Sequence, residues 1–353
     1  MTWLQEEYDF MRRCFELATR GIGYVAPNPM VGCVIVNNNQ IIAEGYHENF
    51  GGHHAEVNAL QYFNQLQDIE RQGAVMYVSL EPCNHYGKTP PCSEAIIKSG
   101  ISKVVVSNLD PNPLVAGTGL AKLKSAGLTV RHGFLEDEGA FLNRRFFVYH
   151  QKKRPYIILK WATSSDGFMA PLANERKNEK QPFWISSEPS RKLVQKWRSE
   201  EQAILVGKNT VMEDNPRLTS RHPGSKNPIR IIIDPTLSLG TELNVFQEQG
   251  RVLVLNNKQD SKVNQLEYLR FKKNDLSDLL HVLYKSGIQS VIVEGGKFTL
   301  DRFIESGLWD ESRVFTASHD LNSGLKAPTL IAKPFITERI DKDVLDIFYN
   351  KTW

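Results

Sequence analysis

Two stretches decide the reading of this chain: Gly51–Leu60, GGHHAEVNAL, and Ser79–Ile96, SLEPCNHYGKTPPCSEAI. An apolar run that opens with His54-Ala55-Glu56 reads as the first turn of a helix. A buried helix start has little use for an imidazole and a carboxylate unless something binds them. The second stretch holds Cys83 and Cys92, two of the four cysteines in the chain. Cys83 follows the strand-like run VMYVSL, and Cys92 opens the next helix. One histidine and two thiolates can supply the three protein ligands of a catalytic zinc site, whose fourth position is kept for water. Helix N-termini favour thiolate over thiol, which helps metal binding. Glu56 lies two residues beyond His54, placed to reach the water position rather than the metal. Zinc lowers the pKa of such a water to about 7, and a nearby carboxylate can carry its proton to a leaving amine. The spacing to Glu56 selects His54 over its neighbour His53. Cys14, on the apolar face of the first helix, and Cys33, in the strand MVGCVIV, read as core residues.

Around these stretches helix and strand signals alternate. The opening segment repeats apolar residues at Leu4, Tyr8, Met11, Phe15 and Ala18, the spacing of a helix. Then come the strand MVGCVIV, a turn at NNN, the strand QIIAEGYH, the helix AEVNALQYFNQL, the buried strand AVMYVSL, the helix PCSEAIIKSG, the strand ISKVVVSNLD, the helix GTGLAKLKSAG and the short strand LTVRHGFL. This is an α/β sandwich, with helices laid on a sheet. The pattern restarts near residue 150. The basic cluster Lys152–Arg154, followed by Pro155, reads as a linker, and a new α/β series begins with YIILKWAT and runs through AILVG, IRIIID, RVLVLN and SVIVEGG. The expected domains are therefore 1–150 and 151–353.

The chain has 353 residues, of which 41% are hydrophobic, enough for two packed domains. Its net charge of +3 gives no nucleic-acid-binding tail or polybasic membrane patch, and suits anionic small substrates. Four cysteines in so long a chain are no disulfide framework and point to a reducing cytoplasm. The N-terminal segment carries acids without an unbroken apolar core, unlike a signal peptide. No segment approaches the roughly 20 apolar residues of a transmembrane helix. No nucleic acid and no membrane are expected as partners.

The second half offers its own phosphate signal. SVIVEGGKFTLDRFI reads as strand, Glu294-Gly295-Gly296, helix. Small residues let the backbone approach a phosphate, and the helix start offers N–H donors. It is not the G-x-G-x-x-G of a dinucleotide-binding fold, so composition does not name the ligand.

The H-x-E and P-C pieces match the pattern of zinc nucleobase deaminases, except that eight residues, NHYGKTPP, separate the cysteines. That spacer, with APNPMVGCVIV and HHAEVNAL, closely resembles the deaminase domain of the bifunctional riboflavin-biosynthesis proteins. LKWATSSDGFMA, FWISSEPSRKLVQKWRSEEQAILVGKNTVMEDNPRLTSR and IVEGGKFTL resemble the reductase domain of the same family, in the same order. The resemblance implies a cytidine-deaminase-like α/β domain, zinc-dependent, over 1–150, and a dihydrofolate-reductase-like α/β domain using NADPH over 151–353. It implies deamination of 2,5-diamino-6-ribosylamino-4(3H)-pyrimidinone 5′-phosphate. Reduction of the ribosyl chain of 5-amino-6-(5-phosphoribosylamino)uracil to ribityl follows. His54, Cys83 and Cys92 are then the zinc ligands and Glu56 the proton shuttle. Asn28 resembles the asparagine that meets the pyrimidine ring, and His47 and Lys88 the contacts to the ribose phosphate. Ala162, Trp184, Thr210 and Asp214 resemble NADPH-site residues, and Gly296, Lys297, Phe298 and Thr299 its phosphate loop. Arg198, Leu218, Arg221 and Glu294 resemble substrate contacts, the two arginines suited to the phosphate. Lys160 is placed to polarise the ribose carbonyl. A homo-oligomer, dimer or tetramer, is the family habit. Three departures stand out. Pro235 follows the aspartate of IRIIID where a hydroxyl residue is usual, FTASHDLNSGLKAPTL replaces a Pro-Lys-Leu-Leu-Gly-like segment, and Gln202 replaces an aspartate before AILVG. The rival reading is a nucleic-acid-editing zinc deaminase with an accessory domain. It would share the first site but needs a basic groove with exposed aromatics.

Overall fold

A computed structural model describes residues 3–86, 90–113, 115–172 and 183–350. The chain divides into two compact units, Met1–Lys152 and Lys153–Trp353.

The first unit runs α1 (Gln5–Thr19), β1 (Gly32–Asn37), β2 (Gln40–Tyr46), α2 (Ala55–Phe63), α3 (Asp68–Arg71), β3 (Val75–Leu80), α4 (Cys92–Lys98), β4 (Lys103–Asn108), α5 (Thr118–Ser125), β5 (Thr129–His132), α6 (Glu136–Leu142) and α7 (Arg144–Lys152). Its five-stranded sheet has the order β2-β1-β3-β4-β5. β1 is antiparallel to both neighbours, whereas β3, β4 and β5 are parallel. The β1–β2 turn places Asn38 at φ 45° and Asn39 at φ 61°. That left-handed pair matches the twist of a tight hairpin, and asparagine tolerates it well. Strand alternation then sorts the core. Cys33 and Ile35 face α2, α4 and α5 with Ala59, Phe63, Met76, Ile96 and Leu123. Val34 and Val36 face α1 with Met11, Cys14 and Leu17. Cys14 and Cys33 are both fully buried core residues. The opening helix departs from its expected face: Leu4 is the residue before the helix and is 67% exposed. Leu17 takes its place in the buried stripe, because a period of 3.6 drifts past a strict four-residue spacing.

The second unit runs β6 (Tyr156–Thr163), β7 (Phe168–Ala170), α8 (Glu188–Glu200), β8 (Ala203–Gly207), α9 (Lys208–Asp214), β9 (Ile229–Ile233), α10 (Asn244–Gln247), β10 (Val252–Asn256), β11 (Ser261–Val263), β12 (Leu266–Arg270), α11 (Leu276–Lys285), β13 (Ser290–Val293), α12 (Lys297–Ser306), β14 (Glu311–Thr316), β15 (Leu325–Lys326), β16 (Ile336–Ile340) and β17 (Asp343–Tyr349). Among the described residues the main sheet orders β11-β12-β10-β9-β8-β13-β6-β14-β17-β16. Its interior, from β12 to β14, is parallel, and antiparallel strands close both edges. The parallel strands are near-continuous apolar runs such as YIIL and AILV, as expected of strands covered on both faces.

The basic cluster read as a linker is built into the fold instead. Lys152 is the last residue of α7. Arg154 is only 9% exposed and grips Asp310 through two nitrogens, at 2.6 and 2.8 Å. Asp310 also accepts the Ile157 N–H at 2.8 Å, so one carboxylate ties the entry of β6 to the residue before β14. The Gln202 departure has a structural role too. Its side chain accepts from Gln289 N at 2.7 Å and donates to the Gly287 carbonyl at 3.0 Å, clasping the turn between α11 and β13.

Candidate functional site

In the first unit three short elements converge. His54 is the residue before α2, Cys83 follows β3 in the loop after Leu80, and Cys92 begins α4. The Nδ1 of His54 lies 3.5 Å from Cys83 Sγ and 3.3 Å from Cys92 Sγ, and the Cys92 N–H points at Cys83 Sγ at 3.4 Å. The three donor atoms all fall within 4.8 Å of one another. The proton distribution shows what the cluster favours. The hydrogen bond from Cys92 holds the Cys83 thiol well below the usual thiol range, and Cys92 is correspondingly pushed up. His54 is raised to about 9, first by its bond with Cys83. A thiolate beside an imidazole with a second thiol in reach fits a divalent, thiophilic ion with three protein ligands. Glu56, in the first turn of α2, is 3% exposed, and burial raises its carboxyl to about 7. A carboxyl poised near neutrality is suited to taking and giving a proton.

Next to this cluster, Asn28 Nδ2 meets His47 Nε2 at 3.0 Å, and His47 Nδ1 meets the His53 carbonyl at 2.8 Å. A carbonyl only accepts, so Nδ1 carries the proton and the neutral ring accepts from Asn28. His47 is 2% exposed, and burial lowers its pKa. A plain surface role is therefore excluded for it. Lys88 lies outside the described residues. Two residues that the sequence reading did not single out hold this region in place. Asn143, 3% exposed, pairs its amide with both backbone groups of Met30, at 2.9 and 2.8 Å, and so fixes the loop that carries Asn28. Glu81, 4% exposed, accepts from the N–H groups of Gly117, Gly119 and Leu120 at the start of α5, which anchors the loop leading to Cys83. No local pattern marks either residue, because these partners lie 36 to 113 positions away.

In the second unit β13 inserts between β8 and β6. The order of connection reverses there, and open parallel sheets bind ligands at the carboxyl ends of strands beside such a reversal. Lys160 and Ala162 lie at that end of β6, Glu294 just past β13 and Gly207 at the end of β8. Arg198 of α8 grips Glu294 in a two-pronged pair, at 3.0 and 2.8 Å, and donates to the Thr219 carbonyl at 3.2 Å. Burial alone would raise Glu294, but the charges of Arg198 and Lys160 outweigh it and hold the carboxyl at about 2. Burial lowers Lys160. The two arginines thus differ: Arg221 is exposed, whereas Arg198 is largely committed to Glu294 and the chain. Leu218 adopts φ 56°, a costly conformation for a bulky residue, directly before the carbonyl that Arg198 holds.

The Gly-Gly turn forms a close cradle. A Cβ on Gly295 would come within 2.3 Å of Val206 Cα, and Gly296 has φ 53°. The first N–H groups of α12 have no partner inside the helix and sit at its positive end. Gly296, Lys297, Phe298 and Thr299, with Thr210 among others, line a cavity of about 720 Å³. Ala162, Trp184 and Asp214 do not line it; Trp184 is 51% exposed and Asp214 ends α9. Pro235 lines it, and the FTASHDLNSGLKAPTL segment is held by Asp166, which accepts from the N–H groups of Leu321 and Asn322. A deep cavity that meets a free helix start fits a dinucleotide with a pyrophosphate.

Comparison with known proteins agrees with this division. Residues 4–108 match the cytidine and deoxycytidylate deaminase zinc-binding region, and residues 155–333 match the RibD C-terminal domain. The riboflavin biosynthesis protein RibD of Aquifex aeolicus is 42% identical over 90% of this chain and 88% of its own length. That of Escherichia coli is 38% identical over 91% and 89%. A crystal structure of a diaminohydroxyphosphoribosylaminopyrimidine deaminase/5-amino-6-(5-phosphoribosylamino)uracil reductase from Thermotoga maritima is 35% identical. It covers 98% of this chain and 99% of its own, with a TM-score of 0.86. Acinetobacter baumannii RibD, at 34% identity, covers 99% and 100% with a TM-score of 0.88. The fold is the deaminase-like and dihydrofolate-reductase-like pair expected from the sequence, and the editing-deaminase alternative leaves the second unit unmatched. With both halves matched in order along nearly its whole length, the chain belongs to the RibD family of riboflavin-biosynthesis proteins.

Proposed function

We propose that the chain deaminates the phosphoribosylated diaminopyrimidine in its first unit and reduces the sugar of the deaminated product in its second. The convergence of His54, Cys83 and Cys92 beside the buried Glu56 carries this reading. His54, Cys83 and Cys92 would hold zinc, which when bound would lower the pKa of a water for attack on the amine-bearing ring carbon. Glu56 takes the proton of that water and delivers it to the leaving ammonia. Asn28, oriented by His47, contacts the pyrimidine, and Lys88 the phosphate. In the second unit the cavity would hold NADPH, which when bound would supply the hydride for reduction at C1′ of the sugar. Glu294, fixed by Arg198, contacts the substrate, with Leu218 and Arg221 beside it and Arg221 as the cation for its phosphate. Lys160 polarises the ribose carbonyl. Ala162, Trp184, Thr210, Asp214 and the turn Gly296–Thr299 hold the cofactor. The protein works as a homo-oligomer in the cytoplasm; no described helix is long and apolar enough to cross a membrane.

Metal analysis tests the first site. Cys83→Ser and Cys92→Ser should each lose zinc and ammonia release together. Full zinc occupancy and activity in Cys92→Ser would break the assignment and turn attention to Cys33 or His53.

A further inference from the structure

In the second unit one stripe of α8 spends its polar side chains on the backbone of two loops. Arg191, Gln195 and Arg198 stand at i, i+4 and i+7, so they share a face of the helix. Val194 and Trp197, between them in sequence, are buried. Arg191 donates to the Ser186 carbonyl at 2.9 Å. Arg198, besides gripping Glu294, donates to the Thr219 carbonyl at 3.2 Å. Gln195, to which the family resemblance gives no part, holds the next two residues of that second loop. Its Oε1 accepts the Arg221 N–H at 3.0 Å, and its carbonyl accepts from Ser220 Oγ at 3.0 Å. Three consecutive residues, Thr219, Ser220 and Arg221, are thereby docked on one turn of α8.

The loop is tied within itself as well. Ser220 N donates to Asn227 Oδ1 at 3.1 Å, and His222 N donates to Ser220 Oγ at 3.2 Å. Leu218, buried and at φ 56°, bends the chain into this docked run. The backbone is thus fixed up to Arg221, whereas the Arg221 side chain is exposed. The other arginines close to it in the fold or the sequence are spent: Arg198 on Glu294 at 2.8 Å and Arg217 on Glu248 at 3.0 Å. Arg221 is the arginine left to meet a phosphate here. A long side chain gives up rotamer freedom when it binds an anion, and a root held in one place reduces what must be ordered.

We propose that Gln195 is a positioning residue for the reductase substrate: by holding the Arg221 backbone it aims the guanidinium at the substrate's phosphate. The proposal rests on the reading of Arg221 as the phosphate cation. Gln195 acts through Arg221 and does not line the cofactor cavity.

The test is NADPH oxidation by the full chain across a range of concentrations of the deaminated intermediate. Wild type, Gln195→Met, Arg221→Met and the double variant are compared. Methionine keeps the length of Gln195 and removes the acceptor. Gln195→Met should raise KM for the intermediate roughly three- to tenfold, the worth of one hydrogen bond. Its kcat should stay nearly unchanged, the pattern of lost ground-state binding, and so should its NADPH affinity by fluorescence titration. In the Arg221→Met background the same substitution should have no further effect on KM, because the group it aims is gone. A Gln195→Met protein with the wild-type KM would overturn the proposal. An equal rise in KM in the Arg221→Met background, or a matching loss of kcat or of NADPH affinity, would overturn it too, since Gln195 would then support the fold rather than Arg221. A wild-type KM in Arg221→Met alone would remove the phosphate reading of Arg221 and the proposal with it.

Discussion

Glu56 shows what a single position does here. One residue separates it from His54, so one turn of α2 presents the imidazole at its start and the carboxyl within its first turn. Burial raises that carboxyl to about 7, so it can exchange a proton near neutral pH. On the proposed mechanism, Glu56→Gln keeps the shape and loses the proton carrier. Because Glu56 is not among the three clustered ligand residues, the variant should retain zinc. Ammonia release should fall by roughly 10² to 10⁴, the usual worth of a positioned acid–base group. Metal content and ammonia assays on the same preparation check it, and near-normal release would remove Glu56 from the mechanism. The candidate cluster of His54, Cys83 and Cys92 beside Glu56 was legible in the sequence because His54 and Glu56 share one helix start and the two cysteines stand nine positions apart at element ends. Asn143 and Glu81 were not, since each acts on backbone groups far away along the chain. The family's phosphate-contact assignment for Arg198 could not reveal that its guanidinium is committed to Glu294.

At the scale of elements, strands were easier to read than what joins them. Apolar runs such as VMYVSL and YIILKWAT became β3 and β6 because buried parallel strands need unbroken apolar sequence. The helices α6 and α7 were missed, and the basic run at Lys152–Arg154 was read as a linker. Charge alone does not reveal a buried partner: the side chain of Asp310 is fully buried, and it stands 156 residues from Arg154. That pair makes a stability prediction. Arg154→Met would leave Asp310 charged and buried without its cation, which costs about 3–5 kcal/mol for a broken buried pair. Urea unfolding of the variant should show that loss. A change below about 1 kcal/mol would mean that the pair does not anchor β6.

For the whole molecule, the central claim is that two chemistries lie on one chain, each within its own unit. His54, Glu56, Cys83 and Cys92 all fall within Met1–Lys152, and Lys160, Arg198, Glu294 and the Gly296–Thr299 turn within Lys153–Trp353. A unit with its own core and its own site can work while the other is silenced. The restart of the α/β pattern near residue 150 was visible in the sequence; the reversal at β13, beside the second candidate site, was not, because strand order is a long-range property. The most direct test is to assay the Glu56→Gln and Glu294→Ala proteins separately with each substrate. The first should lose ammonia release from the diaminopyrimidine yet oxidise NADPH at the wild-type rate when given the deaminated intermediate. The second should do the reverse. Loss of both activities in a folded Glu56→Gln protein would contradict the account, because the two sites would then share catalytic parts.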